Sequence, residues 1–408
     1  MTKEIITLTI DRLAGLGDGN GTCGERKVFV PLTLAGEVVE AEIVKEIAGV
    51  TYCKLVKIIT PSPDRKEPIC KHFGECGGCT LQHLNDNLYP QFKRKIAAEA
   101  LRKAGYSDEN LAETVKIPLA SRRRVNLKTK EGKIGFYIEN SHQLVDIEEC
   151  KIIEPGLFDL ILALKPQVKK FPDINSIQIN AIDGRYDVVL ASKNRVNLSK
   201  FERIAGVKRL SSSVNGKISA VYQDGDAAIT LAGLSIRIPQ SAFLQASKEA
   251  AEAMSNLVLQ AVGNAEKIAD LFAGIGAYSF ALAKQADVTA FEIDAAMVTT
   301  INNAAKIYKL NDKLKAEKRD LFKEPIGYYA LKNYDAIVIN PPRSGAKAQI
   351  EQIAIAKTPK VVMISCNHAT FARDAKILKD AGYKLDRLTP IDQFVYTPHL
   401  ELVGEFSI

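Results

Sequence analysis

The chain has 408 residues, 46% of them hydrophobic and 25% charged. That length exceeds one ordinary core and suits two or three domains, and the composition excludes a disordered or fibrous protein. Lysine and arginine total 55 against 48 aspartate and glutamate, and the resulting net charge of +7 suits a polyanionic partner without requiring one.

The opening Met1-Thr2-Lys3-Glu4 lacks the basic start and apolar core of a signal peptide. No run approaches the roughly 18 apolar residues of a membrane span. A cytoplasmic protein without a membrane partner, acting as a monomer, is expected. In chain order, Ile5 to Ile10, Val28 to Val30, Val38 to Val44 and Tyr52 to Ile59 read as short strands broken by the glycine-rich turn Gly15 to Gly19. They predict a small closed barrel over residues 1–60. Pro61-Ser62-Pro63-Asp64 reads as a linker. A helix is expected from Leu88 to Ala104, carrying Lys93, Arg94, Lys95, Arg102 and Lys103. Strands dominate from about Ser121 to Leu231, with Asp183-Gly184 and Asp224-Gly225 as hairpin turns, so residues 61–230 are expected to form an α+β domain.

Beyond Leu231, helices alternate with the apolar strands Lys267 to Phe272, Val288 to Ile293, Ala336 to Ile339 and Val361 to Ser365. Such alternation predicts parallel strands with crossover helices, an α/β doubly wound sheet over residues 231–408. The chemistry-bearing segments fall at the ends of these strands, where open α/β sheets bind ligands. Asp270-Leu271-Phe272-Ala273-Gly274-Ile275-Gly276 closes one strand, and its glycines let a ligand approach over a helix N-terminus. Phe291-Glu292-Ile293-Asp294 ends the next and offers an acid to the two hydroxyls of a ribose. Asn340-Pro341-Pro342-Arg343 and Ser365-Cys366-Asn367-His368 end two more. Alone, the double proline is a rigid turn and Cys366 a small buried residue; a shared cleft favours a nucleophile instead. A thiol near a helix N-terminus can have a lowered pKa and enhanced nucleophilicity.

These segments resemble the S-adenosylmethionine-dependent RNA uracil-5-methyltransferases. The first, with no third glycine, is similar to motif I of methyltransferases more than to a dinucleotide fingerprint. Ser365 to Asp374 resembles the family signature around the catalytic cysteine, with His368 and Phe371 as departures where proline and leucine are usual. Thr397-Pro398-His399-Leu400-Glu401 resembles the signature carrying the base, and Phe243-Leu244-Gln245 the segment whose glutamine contacts the cofactor. The barrel resembles an RNA-binding TRAM domain. The resemblance implies that Cys366 adds to C6 of an extruded uracil, that C5 takes the methyl group, and that Glu401 removes the C5 proton. It matches Gln245, Phe272, Glu292 and Asn340 to the family's cofactor and pocket residues; Asp320 is expected near the adenine or ribose of S-adenosylmethionine, and Arg343 against the base, the phosphate or the enolate oxygen. Asn340 stands where the family has aspartate, and Ser247 where asparagine is frequent.

Cys70, Cys76 and Cys79, with Cys150 downstream, resemble the four-cysteine [4Fe-4S] site of part of this family. The spacing alone leaves a structural zinc site open, while Cys23 and Cys53 read as barrel core. The Arg122-Arg123-Arg124 run reads equally as a solvated face or as phosphate contacts. The expected substrate is a uridine of 23S rRNA. The alternatives are uridine 54 of tRNA, an exocyclic-amine methyltransferase, which would need no cysteine, and an inactive RNA-binding paralogue.

Overall fold

A computed structural model of the chain describes residues 4–138, 141–240 and 242–408. Met1 to Lys3, part of the opening read above for a signal peptide, lie outside the described residues. The chain divides into two compact units, one of Met1–Ile96, Phe136–Glu149 and Phe394–His399, the other of Ala97–Gly135, Cys150–Gln393 and Leu400–Ile408.

The fold is mixed α/β with an N-terminal barrel, as the sequence predicts. In the first unit, Ile5–Leu13, Gly19–Cys23, Arg26–Val30, Val50–Thr60 and Val38–Ile47 close in that order into a barrel. Alternation drives the closure: Leu8, Ile10, Val28, Val30, Val39, Ala41 and Cys53 point inward and form its core, with Cys23 packed against them. Pro61 to Asp64 is not a loose linker. The Ser62 N–H donates to the buried Glu37 carboxylate at 3.2 Å, and Arg65 bonds the same carboxylate at 2.5 and 2.9 Å. That ion pair fastens the segment to the barrel.

In the second unit a mixed sheet runs in the order Lys217–Gln223, Val207–Val214, Arg185–Ser192, Ile174–Ile182, Arg124–Lys130. Asp183-Gly184 is a hairpin turn, because Ile182 pairs with Arg185. Asp224-Gly225 is not; it leads from this sheet to the separate two-stranded ribbon Ala228–Leu231 and Leu234–Arg237. The neighbouring hairpin turns at Asn215-Gly216, where both residues have positive φ, 50° and 81°, the geometry a two-residue hairpin of this type needs.

The larger sheet of this unit has the strand order Leu314–Lys318, Asp287–Glu292, Lys267–Leu271, Ala336–Ile339, Lys360–Ser365, Glu401–Ser407, Lys384–Asp392, Val115–Lys116. The first five are mutually parallel, and Glu401–Ser407 runs antiparallel to both its neighbours. Strands buried on both faces read as continuous apolar runs, as Ala336–Ile339 and Lys360–Ser365 do. Among the described residues no helix is long and apolar enough to cross a membrane.

Candidate active site

The strand order decides which sequence-distant residues meet. Five parallel strands bring their carboxyl ends to one rim, carrying Phe272, Glu292, Asp320, Asn340 and Cys366 one or two residues beyond or at each strand end. Glu401 reaches the same rim from the opposite chain direction. Ser365 pairs with Leu402 across the antiparallel ladder, so Cys366 and Glu401 leave neighbouring strands, about 5 Å apart, on the same side. On its other flank Glu401 pairs with Ile391, which delivers Gln393 to the same edge.

The glycine-rich turn is built for close approach. Phe272 and Gly274 have positive φ, 60° and 57°, and a Cβ at Gly274 would meet nothing within 4 Å, leaving open space over the turn. The Glu292 carboxylate accepts the Gly274 N–H at 2.9 Å through one oxygen and the Asp294 N–H at 3.0 Å through the other. Each oxygen keeps a lone pair for a further donor. Asp270 is fully buried beneath, bonded by the Ser279 hydroxyl at 2.5 Å. Burial pushes its carboxyl up to about 7 against that bond. The Asp320 carboxylate is occupied locally, accepting the N–H groups of Phe322 and Lys323, while Phe322 sets its ring 5.3 Å from that of Phe272.

The Asn340-Pro341-Pro342-Arg343 loop is tied to the cysteine loop. The Arg343 carbonyl accepts from the Asn367 side-chain amide at 3.0 Å and the Thr370 hydroxyl at 3.2 Å. Asn367 also caps helix His368–Asp380, accepting the Ala369 N–H at 3.0 Å. Cys366, half-buried, precedes that cap. Its thiol is raised rather than lowered: burial and the Glu401 carboxylate push it up, and the Arg343 guanidinium, which bonds it, only partly offsets them. Desolvation next to an acid here opposes the lowering that a helix N-terminus can supply.

Glu401 is 5% exposed, and burial pushes its carboxyl up to about 7, opposed by a hydrogen bond from Gln393 and by Arg343. Gln393 is a residue that sequence reading missed. Its Nε2 donates to Glu401 Oε1 at 2.7 Å and to Gln245 Oε1 at 3.2 Å. Gln245 is held from behind, its carbonyl accepting from Arg123 Nε at 3.2 Å, while the Arg123 N–H bonds the Ala246 carbonyl. Burial lowers the Arg123 and Arg124 pKa values, and Arg124 lies over the Phe243 ring, 4.3 Å from its centroid. Arg123 and Arg124 are therefore half-buried and tied to the Gln245 segment. Ser247 caps helix Lys248–Val262 by accepting the Ala250 N–H at 3.0 Å, a task asparagine performs equally well.

In the first unit, Lys93 lies inside. It is 1% exposed, and its ammonium donates to the His399 carbonyl at 2.8 Å, clamping the Phe394–His399 loop. Cys70, Cys76 and Cys79 are half-buried in a stretch without strand or helix between Thr60 and Leu88. Thiol donors in this number suit iron or zinc. The two residues that lead into Cys150 bind this stretch: the Glu148 N–H donates to His72 Nε2 at 3.0 Å, and Glu149 accepts the Lys71 N–H at 2.9 Å. Among the described residues no three His, Cys, Asp or Glu side chains are drawn together into a group that could hold a metal ion.

Sheet order and rim define a doubly wound α/β protein with its candidate site at the carboxyl ends of the parallel strands. The family model described as tRNA (Uracil-5-)-methyltransferase matches residues 226–405. An uncharacterized RNA methyltransferase of Agrobacterium fabrum is 35% identical over 98% of both chains, and one of Rhizobium meliloti is 37% identical over the same shares. The 23S rRNA (uracil(1939)-C(5))-methyltransferase of Vibrio campbellii is 29% identical over 98% of this chain and 95% of its own. The fold matches that of the Pyrococcus abyssi tRNA (uracil-54, C5)-methyltransferase, solved with S-adenosyl-L-homocysteine, with a TM-score of 0.77 at 23% identity, covering 98% of this chain and 100% of the other. The chain belongs to the RNA uracil-5-methyltransferase family.

Proposed function

We propose that this protein transfers a methyl group from S-adenosylmethionine to C5 of a uridine in 23S rRNA, with Cys366 as nucleophile and Glu401 as base. The observation that carries the reading is the pairing of Ser365 with Leu402, which sets a thiol and a near-neutral buried carboxyl side by side on the cofactor rim. Uracil C5 is too electron-poor to attack a sulfonium methyl group unaided. Addition of the Cys366 thiolate to C6 pushes the C5=C6 pair into an enolate, with Arg343 offering positive charge to it. C5 then takes the methyl group, and the sulfonium leaves as neutral S-adenosylhomocysteine. Glu401 removes the C5 proton, the double bond re-forms, and the C6–S pair returns to Cys366.

Phe272, Glu292, Asp320 and Asn340 are assigned to the cofactor with Gln245. Asn340 keeps an acceptor oxygen without a charge, so activity is expected to persist with weaker contacts. An exocyclic-amine reaction would leave the thiol without a task. The Vibrio campbellii relative supports ribosomal RNA, and the tRNA enzyme that shares the fold keeps transfer RNA as the second reading. The three half-buried cysteines, with Cys150 as fourth ligand, are assigned to a [4Fe-4S] cluster, and the barrel to RNA contact as a TRAM domain; no step of the reaction passes through the cluster. Mapping 5-methyluridine in ribosomal and transfer RNA from cells with and without the gene tests the reading. A site lost from 23S rRNA is expected; loss from tRNA alone moves the substrate, and no lost site removes the function.

A further inference from the structure

Gln393 joins two groups that the reaction uses at different moments. Both its N–H donors are committed: Nε2 donates to Glu401 Oε1 at 2.7 Å and to Gln245 Oε1 at 3.2 Å, while Oε1 accepts the Ala246 N–H at 3.2 Å. A backbone N–H can only donate, so the Ala246 contact settles which end of the amide is oxygen. It follows that the oxygen of Gln245 is occupied and its NH2 is the end left to donate. Near it is the hydroxyl of Tyr278, a buried ring whose O–H donates to Met254 Sδ at 3.7 Å. Gln393 and Glu401 are 4% and 5% exposed, so this chain of hydrogen bonds runs through the interior, where an unmade bond is costly.

We propose that Gln393 is a positioning residue that sets Glu401 and Gln245 as one unit, fixing the base for the C5 proton and the donor-contacting amide with a single side chain. The inference rests on the reaction proposed above. Because Gln393 donates to Oε1, the proton taken from C5 goes to Oε2. As that C–H bond breaks, its electron pair becomes C5=C6, the C6–S pair returns to Cys366, and Glu401 later releases the proton to water. The amide transfers no proton; it favours the ionised acid. The other groups that face Glu401 are the Arg343 guanidinium, which also favours the ionised form, the Cys366 thiol and the Tyr278 hydroxyl, both of which its charge pushes up. A leucine at this position would fill similar volume and leave the carboxylate without its donor.

The test is single-turnover kinetics of wild type and Gln393→Leu on RNA tritiated at uracil C5, following methyl transfer and tritium release separately across pH. In Gln393→Leu, methyl transfer at saturating S-adenosylmethionine is expected to remain within a few-fold of wild type. Tritium release should slow tenfold or more, its acid limb should move to higher pH, and the methylated covalent adduct should accumulate. Equal slowing of both steps with an unmoved acid limb indicates packing alone and overturns the proposal. If Gln393→Leu does not fold, Gln393→Glu keeps the length and sets a second acid beside Glu401; its acid limb must then rise, and an unmoved limb overturns the proposal. A wild type that makes no 5-methyluridine defeats the parent reading together with this one. A wild type that makes it, beside a Gln393→Leu with normal rates and limb, defeats this one alone.

Discussion

The rim of the large sheet and the loop from Cys70 to Cys79 both concentrate the chain's chemistry, and they are held in opposite ways. At the rim, each proposed site residue leaves a strand whose register is locked by ladder hydrogen bonds, or is tied by side chains to one that does. In the loop, order comes from short turns, such as the Phe73 N–H to the Cys70 carbonyl at 3.0 Å and the Cys76 N–H to the His72 carbonyl at 2.8 Å, and from donor side chains. A pre-organised catalytic site can be assembled by backbone topology alone. On the cluster proposed above, the loop would take its remaining order from the metal its cysteines bind.

The sharpest way to break this contrast is at the rim. Cys366→Ala is expected to lose methylation and RNA crosslinking to background, because no C6 adduct can form. Glu401→Gln is expected to add and methylate but to stall, accumulating a methylated protein–RNA species as a slow band on a denaturing gel, with turnover down about 10²- to 10⁴-fold. Normal turnover by Glu401→Gln would assign the proton to another base, and adduct formation by Cys366→Ala would overturn the assignment of the nucleophile.

In the loop, Cys76→Ser is expected to act on content and stability before chemistry. Anaerobically purified wild type should carry iron and acid-labile sulfide in equal amounts, and the variant should lose most of both and melt earlier. Zinc in place of iron in the wild type would replace the cluster by a structural zinc site. A variant that keeps its iron would release Cys76 from the ligand set.

The pH dependence sharpens the electrostatics of the rim. Glu401 accepts a proton only when ionised, and its carboxyl sits at about 7, so C5-proton removal should fall about tenfold per pH unit below 7 and level off above it. The same shift acts on stability with the opposite sense. A raised carboxyl means that the folded state binds the proton more tightly, so this contribution is full below about 4.5 and lost as pH rises through 7. Glu401→Gln should therefore gain more melting temperature over wild type at pH 8 than at pH 5. A tritium-release profile flat from pH 5 to 8 would contradict the buried acid.

The smallest effect expected is at Glu292. Glu292→Ala removes a proposed ribose acceptor and the partner of the Gly274 N–H, and should weaken S-adenosylmethionine by about 1 to 2 kcal/mol, roughly tenfold, in calorimetric titration. Unchanged affinity in a folded variant would move the ribose site elsewhere along the rim.

The sequence by itself determined the barrel, the Leu88–Ala104 helix and the parallel strands, because inward-facing alternation and apolar runs bounded by Gly and Pro are local patterns. It also marked Gly274, Glu292, Asn340 and Cys366, since strand ends in a doubly wound sheet share one rim whatever their spacing. Only the tertiary structure decided that Glu401 enters that rim beside Cys366 through an antiparallel final strand, and that Gln393 bridges Gln245, 148 residues away, to Glu401. It alone buried Lys93, packed the half-buried Arg123 against the Gln245 segment, and raised the Cys366 thiol although a helix N-terminus follows it. The reason is common to all of these: hydrogen bonds between distant segments and the desolvation of a charge depend on what packs around a group, which no local pattern of residues contains.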